Sequence, residues 1–319
     1  MNRRVAAVIP TYQGRELLAR FLPHVLRALS PHGVRVTVVD DGSTDGTAEM
    51  LAARFPSVRV LRSEVNLGFA RAVNRGVQET EAEILVLLNS DVAPESDFLP
   101  PLVEAFDEAE LFAAVPAVLK PNGVCESVVA GEFRRGLFRL VFQPERYRRG
   151  RVDSLPVLYA VGAAAAFRRE RFLALGGFDP LYAPYYWEDA DLGYRAWKQG
   201  FTVRCVPASR VLHYGSATIG SEPRGRVAFV QYRNRFLFMW KNLDALWLGQ
   251  HFLWLPAHLT VSLFTGRARF TLSFLSALLH FPHALLRRQA PTRSDGEILA
   301  QFLRAAARDP EQMARREEP

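Results

Sequence analysis

The chain has 319 residues, 49% of them apolar, and a formal net charge of +7. That is room for one large domain, or one domain with an appendage, and enough apolar material for a sizeable core; global disorder is excluded. Only two cysteines occur, Cys125 and Cys205, far apart and without metal-ligand spacing; this excludes a disulfide scaffold and reads as reduced thiols in a cytosolic protein.

Almost all of the positive charge is arginine. Guanidinium groups make bidentate contacts to phosphate oxygens, so the excess suits phosphate or anionic lipid, although GC-rich coding or thermophily produces the same bias. Met1–Arg4 runs straight into Val5–Ile9, which Pro10 stops. That run is too short for the apolar core of a signal peptide, so no secretory leader is expected.

Val5–Ile9 is short, apolar and β-branched, the pattern of a buried strand. Pro10-Thr11-Tyr12-Gln13-Gly14 follows as a loop, then Glu16–Leu29 shows helical spacing with Pro23 inside it. Val34–Val39 reads as a second strand, ending in Asp40-Asp41-Gly42-Ser43-Thr44-Asp45, where Ser43 or Thr44 is placed to cap a helix reaching about Arg54. A third strand is predicted at Val58–Leu61, a helix from Asn66-Leu67-Gly68-Phe69-Ala70 to Gly76, and a fourth strand at Ile84–Leu88, followed by Asn89-Ser90-Asp91. Strands that are apolar on both faces and alternate with helices form parallel sheets covered by helices. Ligands bind such sheets beyond the carboxyl ends of the strands. Those ends carry Thr11, Asp40, Asp41, Asn66, Gly68, Asn89 and Asp91. One such residue is usually a turn or cap; four strand ends in series point to a site.

Ser96–Ala109 reads as a helix and Leu111–Val118 as a strand. Residues 120–156, with several glycines and the basic run Arg146–Arg151, read as an irregular insertion over the sheet edge whose arginines either clamp phosphate or are solvated. Tyr159–Phe167 looks like a strand whose small residues allow close approach. The stretch Trp187-Glu188-Asp189-Ala190-Asp191 opens a predicted helix over 187–199. In it Glu188, Asp191 and Arg195 share a face, with Asp189 about 100° away. Three nearby carboxylates need a cation, a metal or a proton between them, which suits acid–base chemistry. An exposed helix start, with Asp191 paired to Arg195, fits the same residues. A strand at Phe201–Val206 and the segment Arg210–Tyr214, containing His213, follow.

Composition changes near Ser221, dividing the chain into residues 1–221 and a helical region, 222–319. Arg224–Trp240 is a basic, aromatic helix. Phe252–Phe264 and Phe270–Leu286 are oily but broken by Pro256, His258, Pro282 and His283, and neither supplies the ~20 apolar residues of a membrane span. With Arg267, Arg269, Arg287 and Arg288 at their flanks, they suit helices lying in a membrane interface; packing on the catalytic domain or a homodimer contact is the competing expectation. The tail from Arg293 reads as one amphipathic helix with a charged, frayed end.

The loop after the first strand lacks the G-x-G-x-x-G of dinucleotide enzymes, and neither a P-loop nor a G-x-S-x-G elbow occurs. The arginines are dispersed and no base-stacking motif accompanies them, so nucleic acid is not an expected partner. In order and at their spacings, Val8–Tyr12, Val38–Thr47, Asn66–Ala70 with Asn74-Arg75-Gly76, Leu87–Asp91, Gly176–Asp179, Trp187–Leu192 and His213 resemble family 2 inverting glycosyltransferases of the GT-A fold. Within that family the chain is most similar to rhamnosyltransferase-like enzymes of bacterial cell-surface polysaccharide assembly, over about Val5 to His213.

The resemblance implies an α/β, Rossmann-like, mostly parallel central sheet flanked by helices, with a C-terminal helical appendage. It implies transfer of a sugar from a nucleotide-diphosphate donor to a glycan or lipid-linked acceptor. Pro10, Thr11, Tyr12, Asp40, Asp41, Asn66 and Gly68 would line the nucleotide, with Asn89 and Ser90 beside them. Asp91 would coordinate Mn2+ or Mg2+ on the diphosphate, with His213 approaching the same ion. Asp189 would be the general base and Glu188 would orient the acceptor. The family's metal motif is usually Asp-x-Asp; here it is Asn89-Ser90-Asp91, and a neutral amide is the weaker ligand for a hard cation. The location implied is cytoplasmic, peripheral on the inner face of the cell membrane. A sugar-nucleotide pyrophosphorylase would open with a Gly-rich, basic loop that the chain lacks, and an inactive nucleotide-sugar-binding or membrane scaffold would not need the acidic pair.

Overall fold

Short apolar segments with both faces covered make the centre of the molecule, whose computed structural model describes residues 3–150, 153–215, 222–266 and 268–307. The first strands are β1 (Val5–Thr11), β2 (Arg35–Asp40), β3 (Arg59–Arg62), β4 (Ile84–Leu88) and β5 (Val92–Pro94). They are followed by β6 (Leu111–Leu119), β7 (Val129–Arg134), β8 (Leu137–Phe142), β9 (Leu155–Pro156), β10 (Ala164–Arg168) and β11 (Thr202–His213). The helices of this part are α1 (Arg15–Leu29), α2 (Thr47–Arg54), α3 (Phe69–Gln78), α4 (Leu99–Glu104), α5 (Arg169–Ala174) and α6 (Glu188–Lys198).

The main sheet runs β3-β2-β1-β4-β10-β6-β11-β5, with β9 on β11. It is parallel from β3 to β4. From there it is mixed: β10 is antiparallel to both β4 and β6, β11 is parallel to β6, and β5 and β9 are antiparallel to β11. The expected helix-covered α/β sheet is therefore present, with its parallel part ending at β4. The helix α1 buries Leu18, Phe21, Leu22, Val25 and Leu29 against it, the spacing of one helical face. Two motif glycines are steric requirements. A Cβ on Gly76 would stand 2.6 Å from Val8 Cγ1, where α3 crosses the sheet, and one on Gly193 would stand 2.5 Å from Tyr159 Cβ, where α6 crosses residues 158–159.

Four elements differ from expectation. The helix predicted at Ser96–Ala109 shrinks to α4 and one 3-10 turn, because Pro100 and Pro101 are compatible only with its first turn. Residues 120–156 are not irregular throughout: β7 and β8 form a hairpin, turned by Arg135 and Gly136, both at positive φ. Arg146, of the basic run, is not solvated: it is buried and donates to Gln143 Oε1. Of Tyr159–Phe167 only the part from Ala164 pairs as a strand. Arg151, the composition break at Ser221, Arg267 and the chain end beyond residue 307 lie outside the described residues.

The remaining helices are α7 (Arg224–Asn242), α8 (Ala245–Phe264), α9 (Ala268–Leu278), α10 (Phe281–Leu286) and α11 (Asp295–Ala307). From Phe236 to Trp240 α7 is buried in the same apolar cluster as the sheet. In contrast, α8 and α9 leave Leu253, Val261, Leu263, Phe264, Leu272 and Leu275 exposed. Among the described residues no helix is long and apolar enough to cross a membrane.

Candidate active site

The tips of β1 and β2 build one wall. Gly42 sits at φ +80, and a Cβ there would stand 2.6 Å from the Val65 carbonyl carbon, so the 65–68 loop lies directly on it. Asp41 holds that loop: its carboxylate accepts from the amides of Leu67 (3.0 Å) and Gly68 (2.8 Å). Asn66 Oδ1 accepts from the same Gly68 amide, and Asn66 is itself exposed. Asp40 is fully buried; its Oδ1 accepts from the Ser43 amide, and its Oδ2 lacks a hydrogen-bond partner, with Arg62 Nε 3.7 Å away. The Thr11 hydroxyl is likewise buried without a partner, while Tyr12 is exposed. The Pro10 carbonyl edge belongs to β1, paired with Val39. Buried polar atoms without partners are rare, and two at adjacent strand tips mark a surface shaped for something other than the protein's own groups. The α2 cap differs from expectation: Asp45 Oδ1 accepts from Thr47, whereas Ser43 and Thr44 bind Gln13.

A second wall follows β4. Asn89 and Ser90 are half-buried and Asp91 is buried. The His213 ring, at the end of β11, brings Nε2 to 3.5 Å from Asp91 Oδ1 and Nδ1 to 2.9 Å from Glu126 Oε2, and Glu126 also pairs with Lys120 at 3.0 Å. Burial alone would lower the His213 pKa, but its bonds to Asp91 and Glu126 outweigh that and push it up to about 9. At that value both ring nitrogens carry hydrogen at neutral pH, Nδ1–H donating to Glu126 and Nε2–H directed at Asp91; a metal ion would displace the Nε2 proton, with Glu126 fixing the ring as an outer carboxylate does. Two cis donors to one octahedral ion stand about 3 Å apart, so this pair fits part of a hard-cation site. Among the described residues no group of three or more such ligands converges, so the rest of the shell would come from phosphate and water.

The third wall is the start of α6. Tyr186 and Trp187 both have positive φ, at 68° and 81°, strained for aromatic residues, and turn the chain sharply into Glu188. The Asn234 amide holds this turn, donating to the carbonyls of Tyr182 (2.6 Å), Tyr185 (3.0 Å) and Tyr186 (2.8 Å). Asp189 Oδ1 accepts from the Ala190 amide at 2.8 Å and Oδ2 from the Gly162 amide at 3.3 Å. Burial, then the Asp189 charge beside it, pushes Glu188 up to about 8, and burial pushes Asp189 up to about 6, partly offset by those two amides. The two carboxyls thus titrate as a pair, both raised by burial. Glu188 Oε2 has no hydrogen-bond partner among the described residues. Asp191 is different: burial would raise it, but Arg195 and Lys241 hold its carboxyl far below the usual range. It is structural, and the expected Asp191–Arg195 pair is present at 2.8 Å.

These walls are contiguous. The Asn89 amide donates to the Ala163 carbonyl at 2.9 Å, and the next residue back, Gly162, touches Asp189. Asp91 and Asp189 are thereby joined through two neighbouring backbone contacts. Phe69, immediately after the clamped Gly68, lies 3.6 Å from where a Gly162 Cβ would stand, which brings the first wall to the same place. Sequence reasoning missed Glu126, Asn234, Lys241 and Asn242. The one signal available for the last two was polar residues directly following the apolar run Phe236–Trp240 of α7.

Residues 6–176 match the family model described as glycosyl transferase family 2. The chain is 29% identical to the N-acetylglucosaminyl-diphospho-decaprenol L-rhamnosyltransferase of Mycobacterium tuberculosis, over 84% of this chain and 96% of the relative. Two solved structures share the fold. One is GalNAc-T7 with UDP, GalNAc and Mn2+, at TM-score 0.60 and 21% identity, over 76% of this chain and 49% of that one. The other is a mannosyltransferase from Pyrobaculum calidifontis with GDP-Man and Mn2+, at TM-score 0.56 and 18% identity, over 98% and 88%.

Proposed function

The chain belongs to glycosyl transferase family 2, and from that premise we propose that it transfers a sugar, with inversion, from a nucleoside-diphosphate donor to a hydroxyl of a lipid-linked glycan. The observation that carries this reading is the contiguity of Asp91 and Asp189 through Asn89, Ala163 and Gly162. Asp189 takes the proton of the acceptor hydroxyl, whose oxygen attacks the anomeric carbon from the face opposite the diphosphate. The carbon–oxygen bond breaks towards the phosphate, and in-line displacement with one base inverts the centre. Burial raises both Glu188 and Asp189, so the pair holds a proton between them near neutral pH and keeps one carboxylate to act as the base. A divalent ion, Mn2+ or Mg2+, would be held by Asp91 and His213 together with the diphosphate and would neutralise charge on the leaving group. Asp40, Asp41, Asn66 and Gly68, with Pro10, Thr11 and Tyr12, frame the nucleotide, and Asn89 and Ser90 flank its phosphates.

The named rhamnosyltransferase acts on a decaprenyl-linked acceptor. By analogy we assign a rhamnosyl or other hexosyl donor here, linked to deoxythymidine or uridine. Residues 1–221 would form the donor-binding and catalytic unit, and residues 222–319 would support it on the inner face of the membrane. An inactive scaffold would not require Glu188 and Asp189 to be held together at the end of a strained turn.

The test is Asp91→Asn. Its affinity for UDP or dTDP in Mn2+ should fall about tenfold or more, because one anionic ligand to the ion is lost. Titration calorimetry with and without Mn2+ measures this, and an unchanged Mn2+ dependence sinks the assignment. A second expectation concerns pH. A base raised to about 6 is ionised above that value and protonated below it. The kcat should hold at neutral pH and then fall about tenfold per unit as pH drops through 6. A kcat–pH profile that stays flat to pH 5 would remove Asp189 as the base.

A further inference from the structure

A groove of about 770 Å³ lies outside the walls above, between β8 and the helices α7, α8 and α9. Arg139, Arg235 and Arg269 line it, together with Tyr232, Val261 and Phe270. Among its described lining residues there is no acidic side chain. Arg235 donates Nε–H to the Phe138 carbonyl at 2.5 Å, and its Nη2 is buried without a hydrogen-bond partner. Burial, then the like charge of Arg139, pushes its pKa down to about 10. Arg269 is exposed and its guanidinium lies over Gly225, where a Cβ would stand 3.0 Å from Nη2. Like charges gathered around a cavity without a counter-charge are an anion site by Coulomb's law.

Leu137, Ala228, Val261, Ala268 and Phe270 make the apolar side of the lining, beside His258 and Ser262, and Val261 leads to Leu263 and Phe264, both exposed on the last turn of α8. A cavity of this size exceeds what a phosphate group fills and is in the range of amphiphilic ligand sites. The groove is also tied to the catalytic turn. Arg235 follows Asn234, which holds the carbonyls of Tyr182, Tyr185 and Tyr186, so one turn of α7 lines the groove and also anchors the turn that precedes the acidic pair.

We propose that this groove binds the phosphate end of a polyprenyl-linked acceptor, the phosphates against Arg139, Arg235 and Arg269 and the first prenyl units along the apolar side. This rests on the reading above that the acceptor is lipid-linked. The charge pattern selects the head and the exposed α8 face receives the chain, while the sugar extends towards Asp189.

Farnesyl diphosphate, below its micellar concentration and in EDTA, serves as the probe in calorimetry with the full chain. It should bind, and Arg139→Gln/Arg269→Gln should weaken it about tenfold or more, the loss of two charge-assisted contacts. Inorganic diphosphate and farnesol should each bind more weakly than the joined molecule. Because both substituted arginines are exposed, the variant should fold, which circular dichroism checks; Arg235→Lys, which keeps the charge and loses the planar fork, should also weaken the probe. Unchanged farnesyl diphosphate affinity in both variants overturns the proposal. So does inorganic diphosphate binding as tightly as the probe, or loss of binding to phosphatidylglycerol vesicles with the probe unaffected, which would make this a general headgroup surface. Titration of UDP or dTDP with Mn2+ in the native chain separates the two readings: nucleotide binding without probe binding ends this proposal alone.

Discussion

Asp189→Asn is expected to lower kcat by about a thousandfold, the size of effect that loss of a positioned general base produces. The amide has nearly the same shape and keeps one oxygen for either the Ala190 or the Gly162 amide, so the turn into α6 should survive. Affinity for UDP or dTDP with Mn2+ should stay within about twofold, because those groups belong to the other walls and contacts made only in the transition state do not alter ground-state binding. Glu188→Gln gives the contrast. Glu188→Gln keeps the shape of the side chain and leaves the Asp189 carboxylate with its two amide contacts, so it should cost less in kcat and more in acceptor KM. Steady-state rates and product anomeric configuration, measured on both variants, decide between them. If Glu188→Gln abolishes turnover and Asp189→Asn does not, the two roles are exchanged.

Much of the architecture around the strand tips was legible because its motif residues meet steric demands that only one residue type satisfies. Gly42 must have positive φ and no side chain beneath the 65–66 backbone. Asn74 pairs with both the amide and the carbonyl of Phe178, at 2.9 and 2.8 Å, and Gly177 leaves room for it. Such residues are visible in sequence as Gly and Asn at fixed places. The reversal of the sheet at β10 was not legible. Its alanine-rich run is buried on both faces like a parallel strand, and nothing in the run itself encodes direction. Glu126 and Asn234 were missed for another reason: their partners lie 87 residues away for Glu126 and about 50 for Asn234, and no local pattern announces such a contact.

Lys241→Met should destabilise the fold by about 3–5 kcal/mol, the cost of removing one partner from a buried ionic cluster. Lys241 Nζ lies 2.7 Å from Asp179 Oδ2 and 2.9 Å from Asp191 Oδ2, and its side chain is only 3% exposed. Asp191 retains Arg195 Nε, Tyr182 Oη and Asn242 Nδ2, each at 2.8 Å. Asp179 is left with Arg287 at 3.6 Å, partly exposed, and the Leu181 amide. For a chain of this length such a loss lowers Tm by about 5–8 °C. The sign of the pH dependence follows from Asp191, whose carboxyl the Arg195 and Lys241 charges depress against its burial. A depressed carboxylate contributes stability above its unfolded pKa, about 3.9, and loses it as pH falls further. The gap between native and variant should therefore be full from neutral pH down to about pH 4 and narrow progressively below it, towards the depressed folded value. Asp179→Asn added to Lys241→Met should recover part of the loss, since it removes the more weakly compensated of the two charges. Denaturant midpoints for the single and double variants at pH 7 and at about pH 2.5 measure all three statements. A pH-independent gap would mean that the lysine acts through packing of its stem, and that α7 supports the catalytic helix without the ionic contact.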